Sequence, residues 1–103
     1  MIIYGLKTCD TCRKAIKAIP EATFMDVRKD GVPAEMLEKA FEMFGDKLAN
    51  RSSTTWRQLD EAARARPVLE LIAEHPSLMK RPLIVDGDRM WMGWSKDVQS
   101  DFL

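Results

Sequence analysis

The sequence predicts an α/β protein built on a four-stranded mixed sheet. Three observations lead there. The first part of the chain runs strand, loop, helix, strand, helix, the order of a βαβ unit with parallel strands and a right-handed crossover. Near the end, two apolar runs flank Asp86-Gly87, a hairpin signal that demands antiparallel strands. The stretch between these parts has helical periodicity and no strand signal. A parallel pair plus an antiparallel pair, with helices to cover both faces, makes one sheet. A chain of 103 residues suffices for one core, so residues 1–103 are expected to form a single domain.

Each element has its own local warrant. Residues 1–4 are apolar and β-branched in the middle, and Gly5 ends them, which reads as a short buried strand. Cys12, Ala15, Ile16 and Ile19 recur at the spacing of one helix face, Arg13, Lys14 and Lys17 take the other, and Pro20 stops the helix. Residues 23–28 alternate as a second strand. Asp30-Gly31 turns the chain, and Pro33 suits the first position of a helix. Met36, Leu37, Ala40, Phe41 and Phe44 form that helix's apolar stripe, and Gly45 closes it. Residues 46–53 read as polar and irregular.

Thr55-Trp56-Arg57-Gln58 has the form of a capping box and predicts a helix to about residue 65. Pro67 breaks it and starts another over 68–74, with Val68, Leu69, Leu71 and Ile72 as core candidates; His75-Pro76 ends that one. Pro82 opens the strand 83–85, and residues 89–94 return as the fourth strand, which sends Trp91 and Trp94 to opposite faces. Ser95 can cap a last short helix carrying Val98 and Phe102.

Composition excludes several classes. Hydrophobic residues are 46% and charged residues 31%, the profile of a globular protein and not of a disordered or collagen-like chain. Sixteen basic residues balance sixteen acidic ones, so no global field draws the chain to nucleic acid, and no direct nucleic-acid binding is expected. No apolar run approaches the ~20 residues of a membrane span, and the N-terminus lacks the pattern of a signal peptide. A cytoplasmic protein without a membrane partner is therefore expected. Two cysteines and one histidine fall short of a closed four-ligand zinc site unless a carboxylate joins them or two chains share their Cys-x-x-Cys pairs, so no metal is expected.

Cys9-Asp10-Thr11-Cys12 carries the sharpest chemical signal. The motif follows a strand and opens a helix, which puts Cys9 where unpaired backbone N–H groups and the helix dipole favour an anion. Lys7 and Arg13 flank it, and cysteines in such settings have pKa values of roughly 3.5–7.5 against ~8.5 for a free thiol. Cys12, one turn on, can attack a mixed disulfide at Cys9 and release its partner; it is equally a small residue of the apolar stripe. Lys80-Arg81-Pro82 is the second signal: either strand-start punctuation, or a cis-proline turn that brings Arg81 beside the thiol, where its planar fork suits an oxyanion or carboxylate. The polar run from Asn50 to Thr55, with Arg51, is either a solvated loop or a second anion contact. His75 reads as a helix-end cap, and the methionines as core filler.

Three blocks now resemble a known family. The segments Tyr4-Gly5-Leu6-Lys7-Thr8-Cys9-Asp10-Thr11-Cys12-Arg13-Lys14-Ala15, Asn50-Arg51-Ser52-Ser53-Thr54-Thr55-Trp56-Arg57-Gln58-Leu59 and Leu71-Ile72-Ala73-Glu74-His75-Pro76-Ser77-Leu78-Met79-Lys80-Arg81-Pro82-Leu83-Ile84-Val85 are similar, in order, to the opening, middle and third blocks of the ArsC/Spx family. The resemblance implies a thioredoxin-like sheet with a helical insertion between strands two and three. It implies a thiol-dependent oxidoreductase resembling arsenate reductase, with Cys9 as nucleophile. Cys12, or glutathione and glutaredoxin, would resolve the intermediate. A small oxyanion or a disulfide would be the substrate, with Arg81, Arg51, Lys7 and Arg13 as anion contacts and Pro82 structural at the site. Glutathione is then a co-substrate and no cofactor is held. The family's other branch implies a redox-sensing regulator that binds RNA polymerase through a Cys9–Cys12 switch.

The sequence also departs from the reductases. Leu6-Lys7-Thr8 stands where they carry His-Asn-Pro, and Gly93 falls near their third arginine. Losing one charged contact to a partly buried anion costs roughly 1.5–3 kcal/mol, which points to the short, glutathione-dependent thiol reductases of the family more than to efficient arsenate reduction.

Overall fold

The computed structural model describes residues 1–103. Its four-stranded sheet has the order β2-β1-β3-β4, from β1 (Ile2–Gly5), β2 (Thr23–Asp26), β3 (Leu83–Asp86) and β4 (Arg89–Met92). β1 and β2 are parallel, β1 and β3 antiparallel, and β3 and β4 an antiparallel hairpin. The chain divides into two compact units, one of residues Met1–Asp30 with Arg81–Leu103 and one of Gly31–Lys80.

The first unit holds the sheet, α1 (Asp10–Ala18) and α6 (Lys96–Ser100). Register puts Ile3, Ile84 and Trp91 in one row across β1, β3 and β4. Ala15 of α1 and Ile19 at its C-cap pack on that row, together with Val98 and Phe102 from the C-terminal segment. Burying each of the large side chains stabilises the fold by about 1.5–3 kcal/mol. Ser95 caps α6 by accepting from the Val98 amide.

Two sequence expectations fail in this unit. The hairpin loop is Gly87-Asp88, one residue later than Asp86-Gly87, because Asp86 still pairs with Arg89 and Gly87 supplies the positive φ of +61°. Trp91 and Trp94 do not part to opposite faces. β4 ends at Met92, Gly93 at φ +82° breaks the pleat, and both indoles pack on Phe102, with ring centroids 4.8 and 6.0 Å away.

The second unit is the helical insertion. It contains α2 (Ala34–Phe44), α3 (Thr54–Gln58), α4 (Glu61–Arg64) and α5 (Val68–Glu74), with 3-10 turns at Gly45–Leu48 and Pro76–Leu78. Leu37 and Ala40 of α2 and Leu71 and Ile72 of α5 are buried. Val68 and Leu69 are only half-buried. Pro33 caps α2 from outside instead of occupying its first turn.

The expected helix from Thr55 to residue 65 is two helices. Ser53, not Thr55, is the cap and accepts from the Trp56 amide at 3.1 Å, while Thr55 Oγ1 lies 2.9 Å from Ser77 Oγ. Asp60 then accepts from the Ala63 amide at 2.8 Å and starts α4, which breaks the run at Leu59-Asp60. The stretch 46–53 is not simply a solvated loop either. Leu48 and Ala49 are buried, Ala49 bridges to Met79, and the amides of Asn50 and Lys80 donate to the carbonyls of Leu78 and Leu48 at 2.8 and 2.7 Å.

Candidate active site

The site is assembled at the junction of β1 and α1. β1 delivers the chain into the 6–9 turn, where the Cys9 amide donates to the Leu6 carbonyl at 3.1 Å. Cys9 then stands as the N-cap of α1 in extended conformation (φ −92°, ψ 122°), and its carbonyl accepts from the Arg13 amide at 3.0 Å. This position aims its side chain at the amides of the first turn, where an anion is favoured. Cys9 is half-buried, and both cysteines are reduced thiols.

The Cys9 sulfur lies 3.1 Å from Thr11 Oγ1, so the hydroxyl can donate to the thiolate. Partial burial by itself pushes the Cys9 thiol up. The Thr11 hydroxyl, the Cys12 main-chain N–H, the Cys12 thiol and the Arg81 guanidinium outweigh it and hold the pKa at about 7. Arg81 therefore meets the nucleophile, and the peptide bond that follows it, to Pro82, is cis. Pro82 is fully buried, and its carbonyl accepts from the Gly93 amide at 2.8 Å.

Cys12 is wholly inaccessible. Burial pushes its thiol up to about 12; the Leu6 backbone offsets part of this and the neighbouring Cys9 sulfur adds to it. The room for it comes from β1. A Cβ added at Gly5 would sit 2.6 Å from Cys12 Sγ and 3.3 Å from Cys12 Cβ, so glycine is required there for close approach and not for its backbone angle.

Of the residues singled out in the sequence, the first unit brings together Cys9, Cys12, Arg81 and Pro82. Lys7 and Arg13 belong to the same unit, but Lys7 lies 5.8 Å over the Phe24 ring and Arg13 is ion-paired with Asp10. Arg51 is in the other unit, where its guanidinium lies 5.5 Å over the Trp56 ring, as does that of Arg64. Two contributors escaped the sequence reading. Thr11 gave a faint signal, a hydroxyl two residues past the nucleophile on the first turn. Gly5 was read only as a strand end, since its steric role depends on a partner seven residues away. Gly93, at φ +82° and buried, occupies a conformation that an arginine would adopt only under strain.

The thioredoxin-like sheet and the cysteine at its first helix define a thiol-bearing α/β class, and comparison with known proteins narrows it. Residues 4–102 match the ArsC family, and the chain belongs to that family. A solved structure of the YFFB protein superposes with a TM-score of 0.88 at 33% identity, covering 99% of this chain and 97% of that one. The solution structure of an arsenate reductase (ArsC) related protein from Brucella melitensis gives 0.71 at 31% identity, covering 98% and 92%. The global transcriptional regulator Spx of Bacillus subtilis is 25% identical over 98% of this chain and 85% of its own length.

Proposed function

We propose that the chain is a thiol-dependent oxidoreductase of the cytoplasm, with Cys9 as its nucleophile. The observation that carries this reading is a half-exposed thiol held at about 7, with a hydroxyl at 3.1 Å and a guanidinium beside it. At neutral pH about half of such a thiol is ionised, close to the optimum for attack. The thiolate attacks one sulfur of a disulfide, a Cys9–substrate bond forms as the substrate's S–S bond breaks, and the leaving thiolate takes a proton from solvent. A second thiol then resolves the mixed disulfide. If Cys12 attacks the Cys9 sulfur, a Cys9–Cys12 disulfide forms and the substrate leaves as a thiol; if glutathione attacks the substrate's sulfur, Cys9 leaves as the free thiolate and a substrate–glutathione mixed disulfide departs. With arsenate as acceptor, Cys9 displaces water from arsenic(V), and glutathione attacks the Cys9 sulfur, giving arsenite and a Cys9–glutathione disulfide. Arg81 is suited to hold the anionic acceptor by a two-pronged contact.

The test is turnover of the purified protein with glutathione, glutaredoxin and both acceptor types, beside Cys9→Ser. Turnover that disappears in the variant supports the mechanism; turnover that survives Cys9→Ser overturns it.

A second reading rests on the likeness to Spx along nearly the whole chain. Here the Cys9–Cys12 pair is a redox switch on a regulator that docks on RNA polymerase. Capture of polymerase by the reduced and the oxidised protein tests it: retention that changes with redox state supports the switch, and no retention in either state eliminates it.

A further inference from the structure

The helical insertion carries two open cavities that share the walls Asp46 and Arg51 and so adjoin. The first, of about 310 Å³, is polar: Lys47, Arg51 and Lys80 line it against one carboxylate, Asp46. The main chain fixes its walls. Ala49 bridges to Met79, and the amides of Asn50 and Lys80 donate to the carbonyls of Leu78 and Leu48 at 2.8 and 2.7 Å, which ties the segment of Lys47 to that of Lys80. The second cavity, of about 360 Å³, has an apolar lining that includes Phe41, Trp56, Leu69 and Leu71. Arg64 and Arg66 also line it but are committed: Arg64 donates to the carbonyls of Trp56 and Arg57 at 3.2 and 3.3 Å, and Arg66 pairs with Glu74 at 2.7 Å. Arg51 differs from both. It is exposed, has no hydrogen bond or ion pair of its own, and lies 5.5 Å over the Trp56 ring, a contact that is weak at an exposed site.

We propose that the two cavities form one binding site for a phosphate monoester that carries a flat ring, the class to which mononucleotides belong. The ring stacks on Trp56 in the place the Arg51 guanidinium now takes, and the phosphate lies among Lys47, Arg51 and Lys80. Charge selects the phosphate: three cations against one carboxylate leave two positive charges, and a phosphate monoester carries about −1.5 to −2 at neutral pH. The chain as a whole is neutral, so this excess is a feature of placement and not of composition. The indole selects the ring, since any flat ring offers it a π-face and stacking needs no hydrogen-bond readout. Arg51 joins the two halves because it lines both cavities, and on leaving the indole it offers the phosphate a planar fork of donors. Each cavity falls in the range of ordinary small-molecule sites, about 300–1,000 Å³. No covalent step is involved, and the site does not depend on the nucleophilic reading of Cys9.

The experiment titrates the full chain at low salt with AMP, phenyl phosphate, adenosine and inorganic phosphate, and follows amide and indole N–H resonances by NMR. AMP should move the Trp56 indole and the amides of residues 46–52 together and saturably, with an affinity about tenfold above that of adenosine or of inorganic phosphate. Phenyl phosphate separates two sources of the same chemistry: binding like that of AMP extends the class to simple aryl phosphates, and weaker binding narrows it to nucleotides. Trp56→Leu should reduce AMP to the affinity of inorganic phosphate, and Trp56→Phe, which keeps a ring, should restore most of the difference. Lys47→Glu, at an exposed position where folding is not at stake, should weaken AMP and inorganic phosphate alike by about tenfold. Lys96→Glu, the same charge change on exposed α6, should leave both unchanged. The site is overturned if neither ester binds more tightly than inorganic phosphate, if the shifts fall outside the residues of the two cavities, or if Lys96→Glu costs as much as Lys47→Glu.

Discussion

Cys9 and Cys12 are the same chemical group on one turn of one helix, and the fold drives their acidities apart, to about 7 and about 12. Cys9 sits at the cap, half-exposed, with a hydroxyl and a guanidinium turned toward its sulfur. Cys12 sits one turn deeper with no solvent contact, wedged against a glycine of β1. Helix position alone does not make a cysteine reactive; what decides is whether donors for the anion outweigh the cost of leaving water. At pH 7 the ionised fraction is about one half for Cys9 and on the order of 10⁻⁵ for Cys12.

The largest effect that could break this contrast is therefore kinetic. Native protein treated with iodoacetamide at pH 7 should take up one label, at Cys9, and a second only after unfolding. Cys9→Ser should slow native labelling by about 10³-fold or more, while Cys12→Ser should leave Cys9 labelled. Peptide mapping checks it, and a native label on Cys12 would remove the asymmetry.

Next in size is the wedge. Gly5→Ala drives a methyl into Cys12 Sγ, an overpacking that costs about 1–3 kcal/mol and lowers the melting temperature by about 4–8 °C for each kcal/mol. In a Cys12→Ala background the sulfur is gone and most of the penalty should go with it. A double-mutant cycle by thermal or urea unfolding reads the coupling, expected at about 0.5–3 kcal/mol. Additive effects would show that Gly5 serves something other than Cys12.

The contrast also shows what a sequence can and cannot disclose. Cys9's place at a helix cap was legible, because strand, turn and apolar stripe are local patterns. So were the sheet's mixture of parallel and antiparallel pairs, the cap at Ser95 and the helix start after Pro67. Cys12 read two ways, as thiol and as core filler, since its burial depends on β1. The same boundary runs through the helical insertion. Leu48 and Ala49 look like part of a polar loop until Met79 pairs with Ala49 from thirty residues away. The run after Thr55 looks like one helix because Asp60 reads equally as surface residue or cap, and only its bond to the Ala63 amide decides. Gly93 misled the placing of two tryptophans, since a positive φ leaves no mark on a pattern of alternation.

The two thiols should also pull stability in opposite directions with pH. Unfolded cysteines titrate near 8.5. Cys9 is more acidic when folded, so its contribution is present above about 8.5 and is lost as pH falls through about 7. Cys12 is less acidic when folded, so its contribution is full below about 8.5 and is lost as pH rises toward about 12. Urea midpoints from pH 6 to 10 separate the two. The advantage of the unmodified protein over Cys9→Ser should grow from pH 6 to 8.5, and its advantage over Cys12→Ser should shrink above 8.5. Parallel curves would mean that neither thiol is shifted by folding.

The smallest effect dissects the donors around Cys9. Thr11→Val keeps the shape of the side chain and removes the hydroxyl 3.1 Å from the sulfur. One hydrogen bond to a partly exposed anion contributes about 0.5–1.5 kcal/mol, so the Cys9 pKa should rise from about 7 by up to about one pH unit. Thr11→Ser retains the donor and should leave the value near 7. If Thr11→Val moves nothing, the remaining donors alone set the acidity of Cys9, and the contrast with Cys12 rests on Arg81 and the helix amides. If the rise is full, a hydroxyl that the sequence barely advertised supplies a substantial part of the thiolate's stabilisation.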